Sequence, residues 1–467
     1  MPSANRPDSP TRTESDSMGE VQIPRDALYG PQTQRAVDNF PISGQVMPQA
    51  FVQALLAIKG AAAGVNAHLG CIDGDVAQAI VAAVQTLRGD GQLMEQFPVD
   101  VYQTGSGTSS NMNANEVIAR SATLASGVEV HPNDHVNFGQ SSNDVIPSAI
   151  HVSTVLAGRQ QLLPALERLA SVIRRKADSL GGISKTGRTH LMDAMPLRFD
   201  QSLGSWSAQL EDCSRRISGA LEDLRVLAIG GTAVGTGVNT HPEFASRLVA
   251  ALSDESGESF LATPSPFHLM SSQDGVVALS GQLRVLAVAL TKIANDLRWM
   301  NSGPLAGIGE IALPALQPGS SIMPGKVNPV IPEAVAMVCA RVIGNDVTIT
   351  MAGQSGNFEL NVMLPLVAQV SLESIALLTG AMETLAERAI EGFTVNTERV
   401  DESLARNPIL VTALNPVIGY RQAAAIAKKA YASGRPIIDV AEEETGMERA
   451  KLEELLDPEG LTRGGLG

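Results

Sequence analysis

The chain has 467 residues and a net charge of −15, and 44% of its residues are hydrophobic, 18% charged and only 3% aromatic. This is an ordinary globular composition, and the acidic balance without any Lys/Arg run argues against nucleic-acid binding, because phosphate neutralisation needs a basic face. Cores built from Ala, Val, Leu and Ile with few aromatic residues predict an all-α fold of long, closely packed helices.

The N-terminal part of the chain predicts a disordered leader followed by a helical domain. Residues 1–18 are rich in Pro, Ser and Asp and lack an apolar stretch, so we expect a disordered leader and no signal peptide. Helical periodicity over residues 50–69 and 75–88, with polar turns between the helices, predicts a mixed helical domain over residues 19–140.

Three loops rich in hydroxyl and amide side chains lie between residues 104 and 144. Free backbone N–H groups and hydroxyls at the start of a helix form a ready anion site, so we expect these loops to bind an anion. Ordinary helix capping is the alternative that the residues leave open. The candidate residues are Ser106, Gly107, Thr108, His131, Pro132, Asn133, Asp134, Ser141, Ser142 and Asn143.

The region 141–395 predicts a central bundle of five long helices. Two of them carry apolar seams spaced alternately by three and four residues, which is typical of bundle or coiled-coil packing. The seams are Leu203, Trp206, Leu210, Cys213, Ile217, Ala220, Leu224 and Leu227, then Leu279, Leu283, Leu286, Leu290, Ile293, Leu297 and Met300. Such helices are too long for one small core, so we expect other copies of the chain to complete the bundle. Polar residues within the very apolar segment 276–294 favour a buried helix over a membrane span.

Residues 396–467 predict a small C-terminal helical domain with no evident chemistry. No cofactor or metal is expected. The three cysteines, Cys71, Cys213 and Cys339, form no CxxC pair, which argues against an iron–sulfur cluster or structural zinc and fits a cytoplasmic location. The glycine-rich stretch 230–237 lacks the GxGxxG spacing of a dinucleotide site.

The stretch 319–328, Gly-Ser-Ser-Ile-Met-Pro-Gly-Lys-Val-Asn, concentrates polar chemistry in a predicted loop. Ser320 and Ser321 offer hydroxyls, Lys326 a compact positive charge and Asn328 two donors in one plane. This set suits a small anion that carries carboxylates. A mobile Ser-Gly connector is the alternative for a loop of this composition.

The motif Gly-Ser-Ser-x-Met-Pro-x-Lys-x-Asn resembles the signature of the fumarase/aspartase lyase superfamily, most closely its class II fumarase branch. Segments 104–113, 131–134, 141–144, 187–190 and 356–361 resemble the other motifs of that superfamily, in the same order. The resemblance implies three mostly helical domains and a homotetramer whose five central helices per subunit form a twenty-helix core. It also implies active sites shared between subunits and a role in the tricarboxylic acid cycle.

The resemblance further implies reversible hydration of fumarate to L-malate through an aci-carboxylate carbanion. The implied catalytic residues are Ser320 as base, Lys326 as a charge acceptor, and His190 paired with Glu333 to polarise water. The implied substrate-binding residues are Ser106, Gly107, Thr108, Ser141, Ser142, Asn143, Thr189, Ser321, Lys326, Val327 and Asn328. His131, Pro132, Asn133 and Asp134 correspond to a second anion site of the family.

His190 favours malate over aspartate, because aspartases resemble this chain but carry Gln at that position and Gln cannot pass a proton to water near neutral pH. Aspartate ammonia-lyase is nevertheless the alternative activity. A structural lens-type protein of the same superfamily is a further alternative, and the presence of Ser320, Lys326, Asn328 and His190 argues against it. One departure from the family pattern is Phe138-Gly139, where a Lys-Ser pair is common.

Overall fold

The computed structural model describes residues 10–465, and α-helices dominate them, which confirms the predicted all-α class. The described strands occur only in two-stranded pairs. The predicted helices over residues 50–69 and 75–88 are confirmed as Gln49–His68 and Gly74–Gly89. The fourth helix is an exception, because it begins inside the predicted loop 104–113, at Thr108.

The elements are as follows, in chain order. The first part of the chain forms β1 (Thr11–Asp16), β2 (Gly19–Pro24), α1 (Pro31–Asn39), α2 (Gln49–His68), α3 (Gly74–Gly89), α4 (Thr108–Ser126), α5 (Ser142–Ala157) and α6 (Leu163–Ser179). The middle part forms β3 (Ser184–Thr189), β4 (Met192–Arg198), α7 (Phe199–Asp223), β5 (Val226–Leu227), α8 (Phe244–Ser256), β6 (Leu261–Ala262), α9 (Phe267–Ser271), α10 (Asp274–Met300) and β7 (Ile311–Ala312). The last part forms α11 (Val330–Gly353), β8 (Gly356–Asn357), β9 (Leu360–Asn361), α12 (Leu364–Leu385), β10 (Thr394–Val395), α13 (Thr397–Ala405), α14 (Asn415–Ile418), α15 (Tyr420–Ser433), α16 (Ile437–Thr445), α17 (Arg449–Leu455) and α18 (Pro458–Leu461). Single 3-10 or π turns occupy Leu93–Gln96, Pro132–Val136, Gly158–Leu162, Ala386–Ile390 and Pro408–Leu414.

The predicted disorder of the leader is wrong for its second half, while residues 1–9 lie outside the described residues. Strand β1 pairs antiparallel with β2 from Thr11 opposite Pro24 to Asp16 opposite Gly19. The charged side chains of this segment have partners: Asp16 forms an ion pair with Arg35 at 2.8 Å, and Glu14 forms one with Arg12 at 2.6 Å. Charge pairing therefore orders a segment that composition alone assigns to a flexible tail.

The described residues form two compact units. The first takes in the residues up to Pro164 together with Arg215–Val285 and Ala340–Thr379. Helix α2 lies at its centre and contacts α3, α4, α5 and α8. Its Leu55, Leu56 and Ile58 are completely buried, and each contributes roughly 1.5–3 kcal/mol of hydrophobic stabilisation.

The second unit comprises Ala165–Ser214, Leu286–Cys339 and the described residues from Gly380 onward. Its β3–β4 hairpin contacts α13 and α18, and α15 packs on the 3-10 turn Pro408–Leu414 and on α16. Residues such as Leu414, Ile426 and Val440 form a separate apolar cluster near the C-terminus. The three domain boundaries predicted from the sequence, at residues 19, 141 and 396, stay a prediction.

The two predicted apolar seams are buried, with one exception. Every seam residue on α10 is at most 6% exposed, and on the α7 seam Leu221 is buried instead of the neighbouring Ala220. Alternate spacings of three and four therefore identified the packed faces of these long helices.

Four described helices are long and apolar enough to cross a membrane by length and composition alone. Among them, α11 is the least buried, with 33% of its apolar window covered. Its exposed face carries Met337, Val347 and Met351, which are 69%, 61% and 56% exposed. With the exposed Ala340 and Gly344 they form a stripe spaced by three and four residues, the spacing of a helix that packs against another helix. We call Met337, Ala340, Gly344, Val347 and Met351 the α11 stripe.

Candidate active site

The loop 319–328 belongs to the second unit and is closed by its own hydrogen bonds. The Gly319 N–H donates to the Lys326 carbonyl oxygen at 2.8 Å, and the Asn328 side chain donates to the Gly319 carbonyl oxygen at 2.7 Å. A Cβ at residue 319 would lie 2.7 Å from the Lys326 oxygen, so only glycine fits there. Because these hydrogen bonds close the loop, the alternative of a mobile Ser-Gly connector does not describe it.

Ser320 sits in this loop with its hydroxyl oxygen facing two backbone donors. Its Oγ accepts the N–H groups of Ile322 at 3.2 Å and Met323 at 3.1 Å. Backbone donors aimed at an oxygen favour negative charge on it. Ser320 is half-buried, whereas its neighbour Ser321 is exposed.

Lys326 is exposed and held by a neighbouring carboxamide, because its Nζ donates to Asn328 Oδ1 at 2.7 Å. Lys326, Val327 and Asn328 line one side of a cavity of about 780 Å³, and Glu333, in the first turn of α11, also lines it. The second unit thus places an ammonium, a carboxamide and a carboxylate around one cavity.

The segment that carries Thr189 and His190 is a β-hairpin, which the sequence did not reveal. Thr189 pairs with Met192, and the two turn residues between them, His190 and Leu191, have φ angles of 57° and 61°. Two left-handed residues match the type I′ hairpin turn, which is normally made with Asn or Gly. A strained conformation at non-glycine residues is more frequent at functional sites than elsewhere. Both Thr189 and His190 are exposed at the tip of this turn.

A buried ionic triad anchors the strand that leads to this turn. Lys185 Nζ donates to Glu310 Oε2 at 2.8 Å, and Arg188 donates to both carboxylate oxygens of Glu310. The side chain of Glu310 is only 2% exposed. Burial alone raises the pKa of Glu310, but Arg188 and Lys185 outweigh it and hold that pKa below its ordinary value. Glu310 directly precedes β7, so the triad ties the His190 hairpin to the chain that continues into loop 319–328.

The predicted pairing of His190 with Glu333 is not formed within the single chain, since no hydrogen bond or ion pair joins them among the described residues. His190 is also absent from the residues that line the 780 Å³ cavity. The pairing therefore stays a prediction.

In the first unit, two glycines force the loop before α4 into close contacts. A Cβ at Gly105 would lie 1.7 Å from the Val362 carbonyl oxygen, and one at Gly107 would lie 2.9 Å from the side chain of Ile146. Gly107 has a φ of 73° and directly precedes α4. The hydroxyls of Ser106 and Thr108, on either side of it, lie 2.8 Å apart.

The loop at the start of α5 is a complete capping box. Ser141 Oγ accepts the Asn143 N–H at 3.2 Å, and Asp144 Oδ1 accepts the Ser141 N–H at 2.9 Å. The Asn143 side chain donates to the Ala233 carbonyl oxygen at 2.8 Å. Because Gly107 lies against Ile146, early in α5, the first unit holds the Ser106 and Ser141 loops near each other.

Residues 131–134 form a helix cap, which is the alternative that the sequence left open for this loop. His131 Nδ1 accepts the Asp134 N–H at 3.1 Å, and Pro132 begins the following π turn. His131, Asn133 and Asp134 are exposed. A second anion site at these residues stays a prediction.

The predicted site residues thus fall into two groups, each described within its own unit. The first unit contains Ser106, Gly107, Thr108, His131, Pro132, Asn133, Asp134, Ser141, Ser142 and Asn143. The second contains Thr189, His190, Ser320, Ser321, Lys326, Val327, Asn328 and Glu333. Within the described residues, no cluster of three or more His, Cys, Asp or Glu side chains is arranged to hold a metal ion.

Sequence reasoning missed the buried Asp144 and Lys59 beside the Ser141 loop. Asp144 Oδ2 accepts the N–H groups of Gly230 and Thr232 at 2.9 Å each, which joins the glycine-rich stretch to α5. The Asn-Asp pair before a helix signalled only a cap. Lys59 lies in an apolar helix and gave no signal, because a lysine there is normally exposed.

Comparison with known proteins places the whole chain among lyases. A lyase family model matches residues 19–344, and a fumarase C C-terminus model matches residues 410–463. The chain is 62% identical over 457 residues to fumarate hydratase class II 2 from Pseudomonas aeruginosa, covering 98% of this chain and 99% of that protein. It is 49% identical over 453 residues to fumarate hydratase class II from Mycobacterium tuberculosis, covering 97% and 94%. The crystal structure of recombinant class II fumarase from Schistosoma mansoni superposes with a TM-score of 0.93 at 36% identity, covering 97% and 99%.

Proposed function

The chain belongs to the class II fumarase family of lyases, and from this membership we infer that it is a hydro-lyase that interconverts fumarate and L-malate. The resemblance found in the sequence is thereby confirmed. The single observation in the structure that carries the chemistry is Ser320, whose oxygen accepts two backbone N–H groups beside Lys326 and Asn328.

We propose that Ser320 is the base that removes the proton next to a carboxylate of malate. A serine hydroxyl is a weak base, so it needs groups that stabilise the alkoxide. The N–H groups of Ile322 and Met323 support this role, since both already donate to the oxygen that would carry the charge. The closed hydrogen bonding of loop 319–328 keeps these donors fixed during the reaction.

Proton removal leaves a doubly charged aci-carboxylate, and fixed donors must meet its charge. The exposed Lys326 ammonium and the Asn328 carboxamide are suited to this role, because one supplies charge and the other a planar donor. A single well-placed donor of this kind typically lowers a barrier by about 3–4 kcal/mol. His190, paired with Glu333, then donates a proton through a water to the departing hydroxide, which leaves as water.

The carboxylates of the substrate are assigned to neutral donors. In the first unit these are Ser106, Gly107 and Thr108 before α4, and Ser141, Ser142 and Asn143 at the start of α5, where helix N-termini favour anions. Thr189, Ser321 and Val327 are the corresponding proposed contacts in the second unit. Neutral donors suit a protein with a net charge of −15, because they bind an anion without a cluster of Lys or Arg side chains.

We propose that the working enzyme is a homotetramer in which different subunits contribute parts of each site. The α11 stripe supports this, because it is an apolar helix face that residues 10–465 of the single chain leave exposed. Lipid does not suit the same region: in α10, Arg284 is 53% exposed on its side chain and forms an ion pair with Asp346 of α11. A soluble cytoplasmic enzyme of the tricarboxylic acid cycle, without metal or cofactor, fits these features.

Substrate choice is tested by adding L-malate or L-aspartate to the purified chain and following the ultraviolet absorbance of the fumarate double bond. We expect absorbance to rise with L-malate and not with L-aspartate, without added metal or nucleotide. Product from L-aspartate alone would replace the inferred activity with ammonia elimination.

A further inference from the structure

A buried polar cluster lies beneath the Ser141 loop and takes no part in the chemistry described above. It consists of Lys59 and Asn66 on α2, Asn111 and Asn115 on α4, and Asn137 in the loop before α5. The four helical members are at most 1% exposed. Because burying an ammonium and several amides is costly, such a cluster calls for a reason beyond filling the core.

The cluster holds the segment that leads to Ser141. Lys59 Nζ donates to Asn137 Oδ1 at 2.9 Å, and the side chains of Asn111 and Asn115 donate to the same oxygen at 3.1 and 3.2 Å. The Asn137 amide in turn donates to the Gln140 carbonyl oxygen at 3.2 Å.

A second contact holds the same segment, since Asn66 donates to the Phe138 carbonyl oxygen at 3.0 Å. Residues 137–140 are therefore fixed from two helices, immediately before the capping box at Ser141.

Burial and a neighbouring charge act in opposite directions on Lys59. The side-chain oxygens of Asn66, Asn111, Asn115 and Gln140 are buried and accept no hydrogen bond among the described residues. The amine of Lys59 donates to the side-chain oxygen of Asn137. Burial lowers the pKa of Lys59 to about 7, and the negative charge of Asp144 opposes that shift.

Asp144 is the anionic partner, and it is completely buried too. Burial raises its pKa to about 6, while the N–H groups of Ser141, Thr232 and Gly230 and the charge of Lys59 act in the opposite direction. The carboxylate joins Ser141 to the 230–232 segment, because it accepts N–H groups from both.

We propose that Lys59 is a positioning residue for substrate binding, which holds the Ser141–Asn143 loop in place through Asn137. This rests on the proposed function, in which that loop binds a substrate carboxylate. Lys59 itself touches no substrate, because it is completely buried. Lys59 therefore affects the orientation of the loop donors that bind substrate. It does not affect the groups around Ser320 that carry out the chemistry.

The test is the full-length Lys59→Met variant, which keeps the length of the side chain and removes its charge. We expect KM for L-malate and the inhibition constant of succinate, an unreactive four-carbon dicarboxylate, to rise by about 10- to 100-fold, the effect of losing one or two charge-assisted hydrogen bonds. We expect kcat to fall by less than about threefold, because a residue that only positions a binding loop affects binding more than chemistry.

The matched control is Gln53→Met on the same helix. Gln53 donates to the Arg88 carbonyl oxygen and accepts from Arg88 Nε, at 3.2 Å each, and among the described residues no hydrogen bond joins it to the Ser141 loop. We expect this variant to lose stability while KM and the succinate constant stay within twofold of the wild type. A general loss of packing around α2 would move both variants alike, which would contradict a positioning role.

The Asn137→Ala variant gives a second measurement, since it keeps both buried charges and removes the link between Lys59 and the loop. We expect it to raise KM by about three- to tenfold. If Lys59→Met does not fold, this variant tests the positioning role of Lys59. An unchanged KM in a folded Lys59→Met protein, or in Asn137→Ala, would overturn the proposal. A wild-type protein without turnover of L-malate would instead refute the proposed function, so the two failures are distinguishable.

Discussion

Replacing Glu310 by Gln should destabilise the His190 hairpin, because it removes the only carboxylate of the triad while keeping its shape. The side chains of Lys185 and Glu310 are 6% and 2% exposed, and that of Arg188 is 20% exposed. Breaking a buried ion pair by removing one partner costs about 3–5 kcal/mol, and the partial exposure of Arg188 favours the lower end. For a unit of this size, about 3 kcal/mol corresponds to a fall in Tm of roughly 6–12 °C.

The pH dependence of this loss has a definite sign. The pKa of Glu310 lies below its ordinary value of 4.5, so its ionised form stabilises the fold above that pH. This stabilisation is lost as pH falls through the depressed pKa. The stability difference between wild type and Glu310→Gln should therefore be full at neutral pH and shrink in acid.

The assay is thermal unfolding across pH, together with kcat for L-malate. Glu402→Gln is the matched control: its ion pair with Arg406 is exposed on both sides and is worth at most about 0.5 kcal/mol. We expect kcat to fall in Glu310→Gln, because the turn that carries His190 loses its anchor. A Tm within 2 °C of the wild type at neutral pH, or a difference that grows in acid, would refute this reasoning.

Two further predictions concern His190 and the α11 stripe. His190→Asn should slow turnover by about 10²-fold, because general acid–base catalysis is worth about 10²–10⁴-fold; turnover within threefold of the wild type would count against its role. Val347→Glu should split the oligomer and abolish activity, as measured by light scattering and malate turnover, because a carboxylate in an apolar helix interface has no partner. The exposed Leu124 on α4 offers the control, and Leu124→Glu should change neither readout.

The long helices were predictable because burial repeats along them. The residues Leu279, Leu283 and Leu286 lie one helical turn apart and are all buried in the structure. Local periodicity is sufficient in such elements, since one face of each helix packs along its whole length. Composition located the loop before α4, where Gly105 lies against the Val362 carbonyl oxygen and Gly107 against the Ile146 side chain.

The β3–β4 hairpin could not be predicted, because its strands carry no alternation and its turn lacks the usual Asn-Gly signal. His190 and Leu191 adopt positive φ values that neither residue favours. The triad of Lys185, Arg188 and Glu310 joins residues more than 120 positions apart, and only the folded chain brings them together.

The role of Lys59 was not predicted, because the sequence around it is that of an ordinary apolar helix. Its partner Asn137 lies 78 residues away, and the buried charge is balanced by Asp144. Local patterns and the family resemblance therefore identified the groups proposed to touch substrate, whereas the groups that hold them in place depend on long-range contacts.

The most direct test of the account is the turnover of Ser320→Ala on L-malate, with Ser321→Ala alongside it. We expect Ser320→Ala to lower kcat by about 10²–10⁴-fold and to leave the oligomer intact, because only the base is lost. We expect Ser321→Ala mainly to raise KM. If Ser320→Ala kept kcat within tenfold of the wild type, another group would be the base and the proposed chemistry of loop 319–328 would be wrong.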